Sequence, residues 1–205
     1  DQVDEYYYLT LMNENYPHPD MPEGAAEGIL KGMYLLKDAG KPKKGELRVQ
    51  LLGSGTILRE AIAAAELLDK DFGVSADIWS CPSFTELRRE GFEAERYNRF
   101  HPEGEQKKAY VTACLEGRQG PAIAATDYVR AFADQIRAFV PMKYTVLGRS
   151  DTRANLRRFF EVDRYYIAHA AIAALAAEGK MNGKDVARAI KQYKIDQEKM
   201  NPTAV

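Results

Sequence analysis

A glycine turn near the middle of the chain has the spacing expected of a possible ligand site. Gly53-Ser54-Gly55 follows an apolar run at residues 49–52 and precedes a helical pattern. The amino end of a helix that follows a parallel strand favours phosphate, so the turn is a candidate anion cradle. It lacks the third glycine of a dinucleotide-binding fingerprint and the lysine of a P-loop. We therefore favour a structural tight turn over a phosphate site.

Histidines and cysteines give no local pattern for catalysis or metal binding. His18, His101 and His169 stand apart, with no second histidine or carboxylate at ligand spacing. We expect surface or packing roles for all three. Cys81 and Cys114 have neither a metal nor a redox spacing and are expected to be buried thiols.

Charged residues after two predicted strands form the remaining candidate. Arg149 and Arg153 begin a basic cluster that continues to Arg157 and Arg158. It could bind an anion or a partner, although solvated charge or pairing between subunits is more usual. Asp127 lies in the first turn of another predicted helix, where the dipole favours a negative charge. Because both loops follow parallel strands, Asp127 could also pair with Arg149 or Arg153. The residues alone give no complete active site.

An alternation of strands and helices must position these residues. Apolar runs of strand length lie at residues 49–52, 76–80, 121–126 and 144–147. Helical patterns separate and follow them, with caps predicted at Thr126, Ser150, Asp163 and Asn182. The pattern predicts a three-layer α/β/α domain around a four-stranded, mainly parallel sheet.

The first residues do not fit this domain. Residues 6–12 have the composition of a strand, and a helix is predicted from Pro22-Glu23 onward. The apolar side of that helix is predicted at Ile29, Leu30, Met33 and Tyr34. One strand and one helix cannot bury a core of their own. We therefore predict that residues 1–36 are the tail of a preceding domain, 37–46 a linker, and 47–205 one α/β domain.

Composition sets broad limits on the class of protein. The chain has 205 residues, of which 45% are hydrophobic and 29% charged, and a net charge of −1. These values are typical of soluble globular proteins. No apolar run approaches the roughly 20 residues that cross a bilayer, and no signal peptide opens the chain. We expect a cytoplasmic protein with no nucleic-acid and no membrane partner.

Several stretches taken together resemble one enzyme family. Asn13-Glu14-Asn15-Tyr16, followed by Met21-Pro22-Glu23-Gly24, resembles the end of the pyrimidine-binding domain of a thiamine-diphosphate enzyme. The similarity continues in the family's order through Ser83-Phe84-Thr85-Glu86-Leu87, Glu95-Arg96-Tyr97-Asn98, Gly148-Arg149-Ser150-Asp151 and Phe160-Glu161-Val162-Asp163. The set, from about residue 6 to residue 202, resembles the homodimeric, single-chain pyruvate dehydrogenase (acetyl-transferring) component of bacteria, in the transketolase-like superfamily.

This resemblance implies that the chain is the last part of a longer enzyme of glycolytic carbon metabolism. Such an enzyme decarboxylates pyruvate on thiamine diphosphate and reductively acetylates lipoyl groups of the dihydrolipoyl acyltransferase component. Cofactor, magnesium and catalytic histidines belong to upstream domains. No catalytic, cofactor-binding or metal residue is therefore expected in this chain, and the fragment alone should be inactive. The domain should contribute to the homodimer and help to frame the active-site channel.

The resemblance also selects structural or interface candidates and leaves alternatives. The candidates are Asn13, Glu14, Asn15, Tyr16, Asp127, Arg149, Ser150 and Asp151. Relatives carry a glycine-rich stretch before the Arg-Ser-Asp motif, whereas Gly148 joins Arg149 directly here. One alternative is a free-standing flavodoxin-like binding or regulatory module, which would have no use for residues 6–36. Another is a different enzyme of the transketolase superfamily.

Overall fold

The computed structural model describes residues 4, 6, 8–9, 15–17, 19–148 and 154–202, with the backbone alone at 154–155. Within them, a five-stranded sheet lies between two layers of helices. The elements in chain order are α1 (Ala25–Lys31), β1 (Tyr34–Lys37), β2 (Leu47–Gly53), α2 (Ile57–Phe72), β3 (Val74–Ser80), α3 (Phe84–Phe100), α4 (Tyr110–Leu115), β4 (Ala122–Thr126), α5 (Arg130–Asp134), a 3-10 turn (Arg137–Phe139), β5 (Tyr144–Gly148), α6 (Ala154–Phe159), α7 (Arg164–Ala177) and α8 (Gly183–Gln192).

The sheet has the order β1-β3-β2-β4-β5. Strands β2, β3, β4 and β5 run parallel to one another. Only β1 is antiparallel, pairing with the outer side of β3. The predicted α/β class with a mainly parallel sheet is confirmed, and so are the predicted strands that became β2 to β5. The predicted number of four strands is wrong, because β1 adds a fifth.

The end of α1 explains the missed strand. The prediction extended this helix through Met33 and Tyr34, but it ends at Lys31 because Gly32 takes a left-handed conformation with φ 98°. A Cβ at Gly32 would lie 2.6 Å from the backbone oxygen of Ser83, so only glycine fits there. The sheet thus takes a strand that crosses position 36, and the domain boundaries at 36 and 46 stay a prediction.

Two apolar cores cover the two faces of the sheet, because successive strand side chains point to opposite sides. On one face, Val49 and Leu51 of β2 pack with the buried stripe of α2 and with α7. On the other face, Leu52 and Trp79 pack with residues of α3 and α4. The sheet is therefore covered on both sides, as parallel sheets require.

Local capping agrees with the sequence at two helices and differs at a third. Asp163 accepts hydrogen bonds from backbone N–H groups at the start of α7, and Asn182 forms a capping box at α8, so both predictions are confirmed. Thr126 does not cap α5, whose N-cap is Val129; its Oγ1 accepts from the Tyr128 N–H at 3.1 Å. The predicted cap Ser150 lies outside the described residues. No helix in the described part of the chain is both long and apolar enough to span a membrane.

The helix predicted after Thr126 is also shorter than expected. The prediction assigned one apolar stripe to Tyr128, Phe132, Ile136 and Phe139. Instead, α5 ends at Asp134 and a 3-10 turn follows. Ile136 is fully buried, whereas Tyr128 and Phe132 are exposed. The stripe fails because the helix breaks before its second turn is complete.

Candidate functional site

The carboxyl edge of the sheet contains the glycine turn, and the protein fills it with its own carboxylate. Gly55 has φ 56°, and a Cβ at this position would lie 2.7 Å from Oδ2 of Asp127. Asp127 follows β4, the neighbour of β2, so the sheet brings the two loops together. Its carboxylate occupies the amino end of α2, the place that a bound phosphate would favour. This contact supports the interpretation of Gly53-Ser54-Gly55 as a structural turn.

The environment of Asp127 favours its neutral form. Burial raises the pKa of Asp127 above its ordinary value, and the polar groups of Thr56 and the charge of Arg157 oppose that rise without cancelling it. The pairing predicted with Arg149 or Arg153 involves residues outside the described part of the chain. That pairing stays a prediction. The predicted place of Asp127 in the first turn of the following helix is wrong, because α5 begins at Arg130, its N-cap is Val129 and no side chain caps it.

A second carboxylate, Glu60, lies one turn into α2 and is only 5% exposed. Its Oε2 accepts from the backbone N–H and Nε of Arg164 at 3.0 and 2.9 Å. Its Oε1 accepts from Nη2 of Arg164 at 3.0 Å and Nη1 of Arg157 at 3.3 Å. Burial pushes the pKa of Glu60 up, but the hydrogen bonds and charges of the two arginines outweigh burial, so the pKa lies below its ordinary value.

The contacts of Glu60 with the two arginines extend to the amino-terminal part of the chain. Nη2 of Arg157 donates to Oη of Tyr16 at 3.0 Å. The guanidinium carbon of Arg59 lies 4.7 Å from the centre of the Tyr16 ring, within the range of a cation–π contact. We call Tyr16, Arg59, Glu60, Arg157 and Arg164 the carboxyl-edge cluster. It links α2, α6 and α7 to a segment more than a hundred residues away in sequence from the last two helices.

The structure brings together only part of the predicted interface set. Tyr16 belongs to the carboxyl-edge cluster, and Asp127 lies beside it through Arg157. Asn15 is exposed. The remaining candidates, Asn13, Glu14, Arg149, Ser150 and Asp151, lie outside the described residues, so their roles stay predictions.

The sequence analysis names Arg157 as part of a basic cluster but does not select Glu60 or Arg164, although one signal for Glu60 is present. Glu60 lies three residues after Ile57 and one before Ala61, so it falls on the apolar stripe of α2. A carboxylate on a buried face needs a cationic partner. The partner could not be chosen locally, because Arg157 and Arg164 are 97 and 104 residues away.

A second buried polar network lies within the strands. The carboxylate of Asp77 is fully buried and accepts from the Ala39 N–H at 2.9 Å, Nη1 of Arg48 at 3.3 Å and Nε2 of Gln50 at 2.9 Å. Oε1 of Gln50 accepts from Nε1 of Trp79 at 2.9 Å. We call Arg48, Gln50, Asp77 and Trp79 the strand network. Its members bond to one another and to neighbouring backbone, which leaves them a structural role.

A shallow cleft borders the strand network. It has a volume of about 420 Å³ and is lined by Lys41, Arg48 and Arg118 together with Asp38 and Glu116. Each acid already has a cation: Arg118 donates to Asp38 at 3.0 Å, and Lys108 donates to Glu116 at 2.6 Å. The cleft therefore carries mixed and mostly compensated charge.

The two described histidines lie at the surface and on a packed helix, and only one of the two cysteines predicted to be buried is fully buried. His101 is exposed and stacks on Tyr97, with ring centres 4.1 Å apart. His169 lies half-buried on α7, where burial lowers its pKa. Cys81 is buried, and burial raises the pKa of its thiol, whereas Cys114 is half-buried. Across the described ranges, no three His, Cys, Asp or Glu side chains are grouped as metal ligands. His18 lies outside those ranges.

These features define an α/β domain whose polar groups are mostly committed to internal contacts. A five-stranded, mainly parallel sheet is covered by helices on both faces, and the buried carboxylates of both charge networks accept hydrogen bonds from within the chain. The model of one family, described as the transketolase-like TK C-terminal domain, matches residues 32–163. This chain belongs to that family.

Similarity to longer bacterial proteins extends over nearly all of the chain. It is 56% identical over 210 residues to the pyruvate dehydrogenase E1 component of Cupriavidus necator, covering 100% of this chain and 23% of that protein. The protein of the same name from Pseudomonas aeruginosa is 56% identical over 208 residues, and that from Escherichia coli strain K12 is 48% identical over 207 residues; each match covers 98% of this chain and 23% of the relative. The chain thus spans about a quarter of the length of these curated relatives.

Solved structures give a more distant similarity. A split-gene transketolase, described as an inactive beta4 tetramer, aligns with a TM-score of 0.49 and 16% identity over 78% of this chain and 46% of the other. A transketolase from Pichia stipitis in complex with sedoheptulose 7-phosphate aligns with a TM-score of 0.45 and 17% identity over 76% of this chain and 20% of the other.

Proposed function

We propose that this chain is the C-terminal part of a pyruvate dehydrogenase E1 component. The observation that carries the proposal is the 56% identity to such a component along the whole chain. Membership of the transketolase-like C-terminal family agrees with it. In this proposal the complete protein decarboxylates pyruvate with thiamine diphosphate and magnesium, and it transfers the acetyl group reductively to lipoyl groups. It acts as a cytoplasmic enzyme of glycolytic carbon metabolism.

The cofactor belongs elsewhere in the complete polypeptide. A diphosphate and its magnesium need free hydrogen-bond donors and carboxylate ligands. At the carboxyl edge, the amino end of α2 already faces the Asp127 carboxylate, and Glu60 is held by two arginines. These residues do not fit thiamine diphosphate. The chain by itself should therefore neither bind the cofactor nor catalyse the reaction.

The domain's own contribution in this proposal is structural. It would take part in a homodimer, help to frame the active-site channel, and leave the dihydrolipoyl acyltransferase component as the partner of the whole enzyme. Exposed apolar side chains support contact with other protein, and they include Leu30 at 80% and Met21 at 63% exposure.

An assay of the complete protein that contains this chain tests the proposed activity. We expect pyruvate to be consumed and isolated lipoyl domains to be acetylated only when thiamine diphosphate and magnesium are both added. A parallel assay with xylulose 5-phosphate and an aldose phosphate acceptor tests the reaction of a transketolase. Ketol transfer without lipoyl acetylation would contradict the proposal and assign the chain to another transketolase-like enzyme.

The free-standing binding module is less well supported. A flavodoxin-like module binds its ligand beyond the carboxyl ends of the strands. Here that edge is filled by Asp127 at the glycine turn and by the Tyr16 side chain over the start of α2. The geometry therefore favours contact with protein at this edge over a small anionic ligand.

A further inference from the structure

We propose that Tyr128, Val129 and Phe132 form a docking face for the preceding part of the same polypeptide. We call these three residues the α5 patch. The inference rests on the proposed function, in which the matched segment is the C-terminal part of a longer chain. It goes further by assigning the contact to one surface and one occupant.

The α5 patch is a compact apolar surface on a well-anchored support. Tyr128, Val129 and Phe132 are 59%, 47% and 38% exposed, and the rings of Tyr128 and Phe132 are 4.8 Å apart. The support is fixed from below, since Ala133 is fully buried and its backbone oxygen accepts from Oη of Tyr144 at 2.9 Å. Large apolar side chains clustered on a fixed surface are typical of contact sites for protein.

The position of the α5 patch indicates what covers it. The patch begins at the residue after Asp127, beyond the carboxyl end of β4. Arg157 lies near Asp127 and donates to Tyr16. Tyr16 therefore fixes the amino-terminal segment at the same edge of the sheet as the patch.

The relatives supply enough polypeptide to cover the patch. The matched segment makes up 23% of the Cupriavidus necator and Escherichia coli proteins, so most of such a chain lies before it. A small anion is disfavoured as the occupant, because Asp127 places a carboxylate at the adjacent helix amino end. The preceding polypeptide is thus the occupant that both the position of Tyr16 and the chemistry of the edge favour.

Photo-crosslinking in the complete protein tests this assignment. The photoreactive residue p-benzoylphenylalanine replaces Phe132 in one variant and Phe100 in the control. Phe100 is an equally apolar, 62% exposed residue at the far end of α3. Unlabelled protein is mixed with ¹⁵N-labelled protein under conditions that exchange subunits, and crosslinked peptides are identified by mass spectrometry.

We expect crosslinks from position 132 to residues that precede this segment, with both peptides carrying the same isotope label. Mixed-label crosslinks would place a second copy on the patch and overturn the assignment. So would crosslinks to the same upstream residues from position 100, or an absence of crosslinks from position 132. Circular dichroism spectra of both variants must match that of the parent. We expect them to match, because both substituted side chains are exposed.

A second variant separates this inference from the proposed function. Phe132→Ser should raise hydrogen exchange in the upstream peptides that crosslink to position 132 by at least threefold, while Phe100→Ser should leave them unchanged. Unchanged exchange in both variants would contradict docking at the α5 patch. Lipoyl acetylation by the parent protein is measured independently, so its absence would count against the proposed activity without altering either structural readout.

Discussion

The two buried charge networks of this domain differ in what they connect. The strand network joins β2 to β3, and its remaining partners lie in adjacent loops. They include the Ala39 N–H and the Gln119 oxygen, and the side chains of Glu46 and Arg118 at 3.6 Å from Arg48 and Asp77. The carboxyl-edge cluster joins α2, α6 and α7 to the segment around Tyr16. One network lies inside the sheet, whereas the other ties separate pieces of chain together.

Two charge networks that are buried to a similar extent can therefore stabilise different parts of the fold. Asp77 is fully buried and Glu60 nearly so, and both carboxylates accept several hydrogen bonds. Removing one partner of such a buried ion pair strongly destabilises a protein, because the other charge stays buried without compensation. Loss of Asp77 should therefore affect the whole sheet, while loss of Glu60 should mainly release α6 and the amino-terminal segment.

Removal of Asp77 should have the largest effect. Asp77→Ala leaves the Arg48 guanidinium buried without its main counter-charge. Nη1 of Arg48 loses its acceptor, and the remaining carboxylate, that of Glu46, lies 3.6 Å from Nη2. We expect a loss of about 4 kcal/mol in the free energy of unfolding. Urea unfolding followed by fluorescence of Trp79, the single tryptophan of the chain, measures it.

A matched control for this variant is Glu93→Ala. Glu93 also pairs with an arginine, Arg89, but its side chain is 64% exposed. Its loss should cost about 0.5 kcal/mol. Equal effects of the two substitutions would mean that the strand network contributes no more than a surface ion pair.

Gly120 tests the backbone beside the strand network. It has φ 83°, and a Cβ there would lie 1.6 Å from the backbone oxygen of Arg48. Gly120→Ala combines a left-handed conformation with a clash against β2, so we expect a loss of about 3 kcal/mol. Gly117→Ala is the control, because Gly117 has φ 78° with no atom near its Cβ position and should cost about 1 kcal/mol. If the stability losses of Gly120→Ala and Gly117→Ala differ by less than about 0.5 kcal/mol, the close approach of Gly120 to the Arg48 backbone does not limit the residue at position 120.

Hydrophobic periodicity was sufficient for the parts of the fold whose causes are local. The strands β2 to β5 and helix α2 follow from apolar runs and a repeat of three and four residues. Strand β1 does not follow from the apolar pattern, because the sequence Tyr34-Leu35-Leu36 is compatible with a helix as well as with a strand. The choice depends on the approach of Gly32 to Ser83, a contact 51 residues apart in sequence.

The candidate site was predictable to a similar degree. The position of Asp127 after a predicted strand makes it a candidate, and the family resemblance makes Tyr16 one. The contact of Asp127 with Gly55 needs the β2–β4 pairing, and the link from Tyr16 to Glu60 through Arg157 needs the assembled helices. No sequence pattern states which arginine reaches which carboxylate over a hundred residues.

Glu60 should give a moderate, pH-dependent effect. Glu60→Gln keeps the shape but removes the charge that Arg157 and Arg164 contact, so we expect a loss of about 2 kcal/mol at neutral pH. The pKa of Glu60 is lowered in the folded protein, so its contribution is present above the unfolded carboxyl pKa and is lost as pH falls through the lower folded value. The stability difference between parent and variant should therefore shrink towards low pH.

Hydrogen exchange completes the test of Glu60. Residues 156–159 of α6 should exchange faster in Glu60→Gln, while β3 should stay as protected as in the parent. Equal loss of protection in α6 and β3 would contradict the distinction between the two networks. A stability difference that grows as the solution is acidified would contradict the assigned direction of the pKa.

Asp127 should give the smallest effect, with the opposite pH dependence. Its pKa is raised because burial penalises the charged carboxylate, so its ionisation removes stability as pH rises from the unfolded to the folded pKa. Asp127→Asn removes that penalty and keeps a side-chain oxygen that can accept from the backbone N–H of Thr56 at the start of α2, so we expect a gain of about 0.5 kcal/mol at neutral pH that disappears in acid. If Asp127 is instead held by an ion pair with Arg149 or Arg153, the same substitution will destabilise the domain at neutral pH. The sign of the change in urea midpoint between pH 4 and pH 7 therefore decides whether burial or pairing dominates at this end of α2.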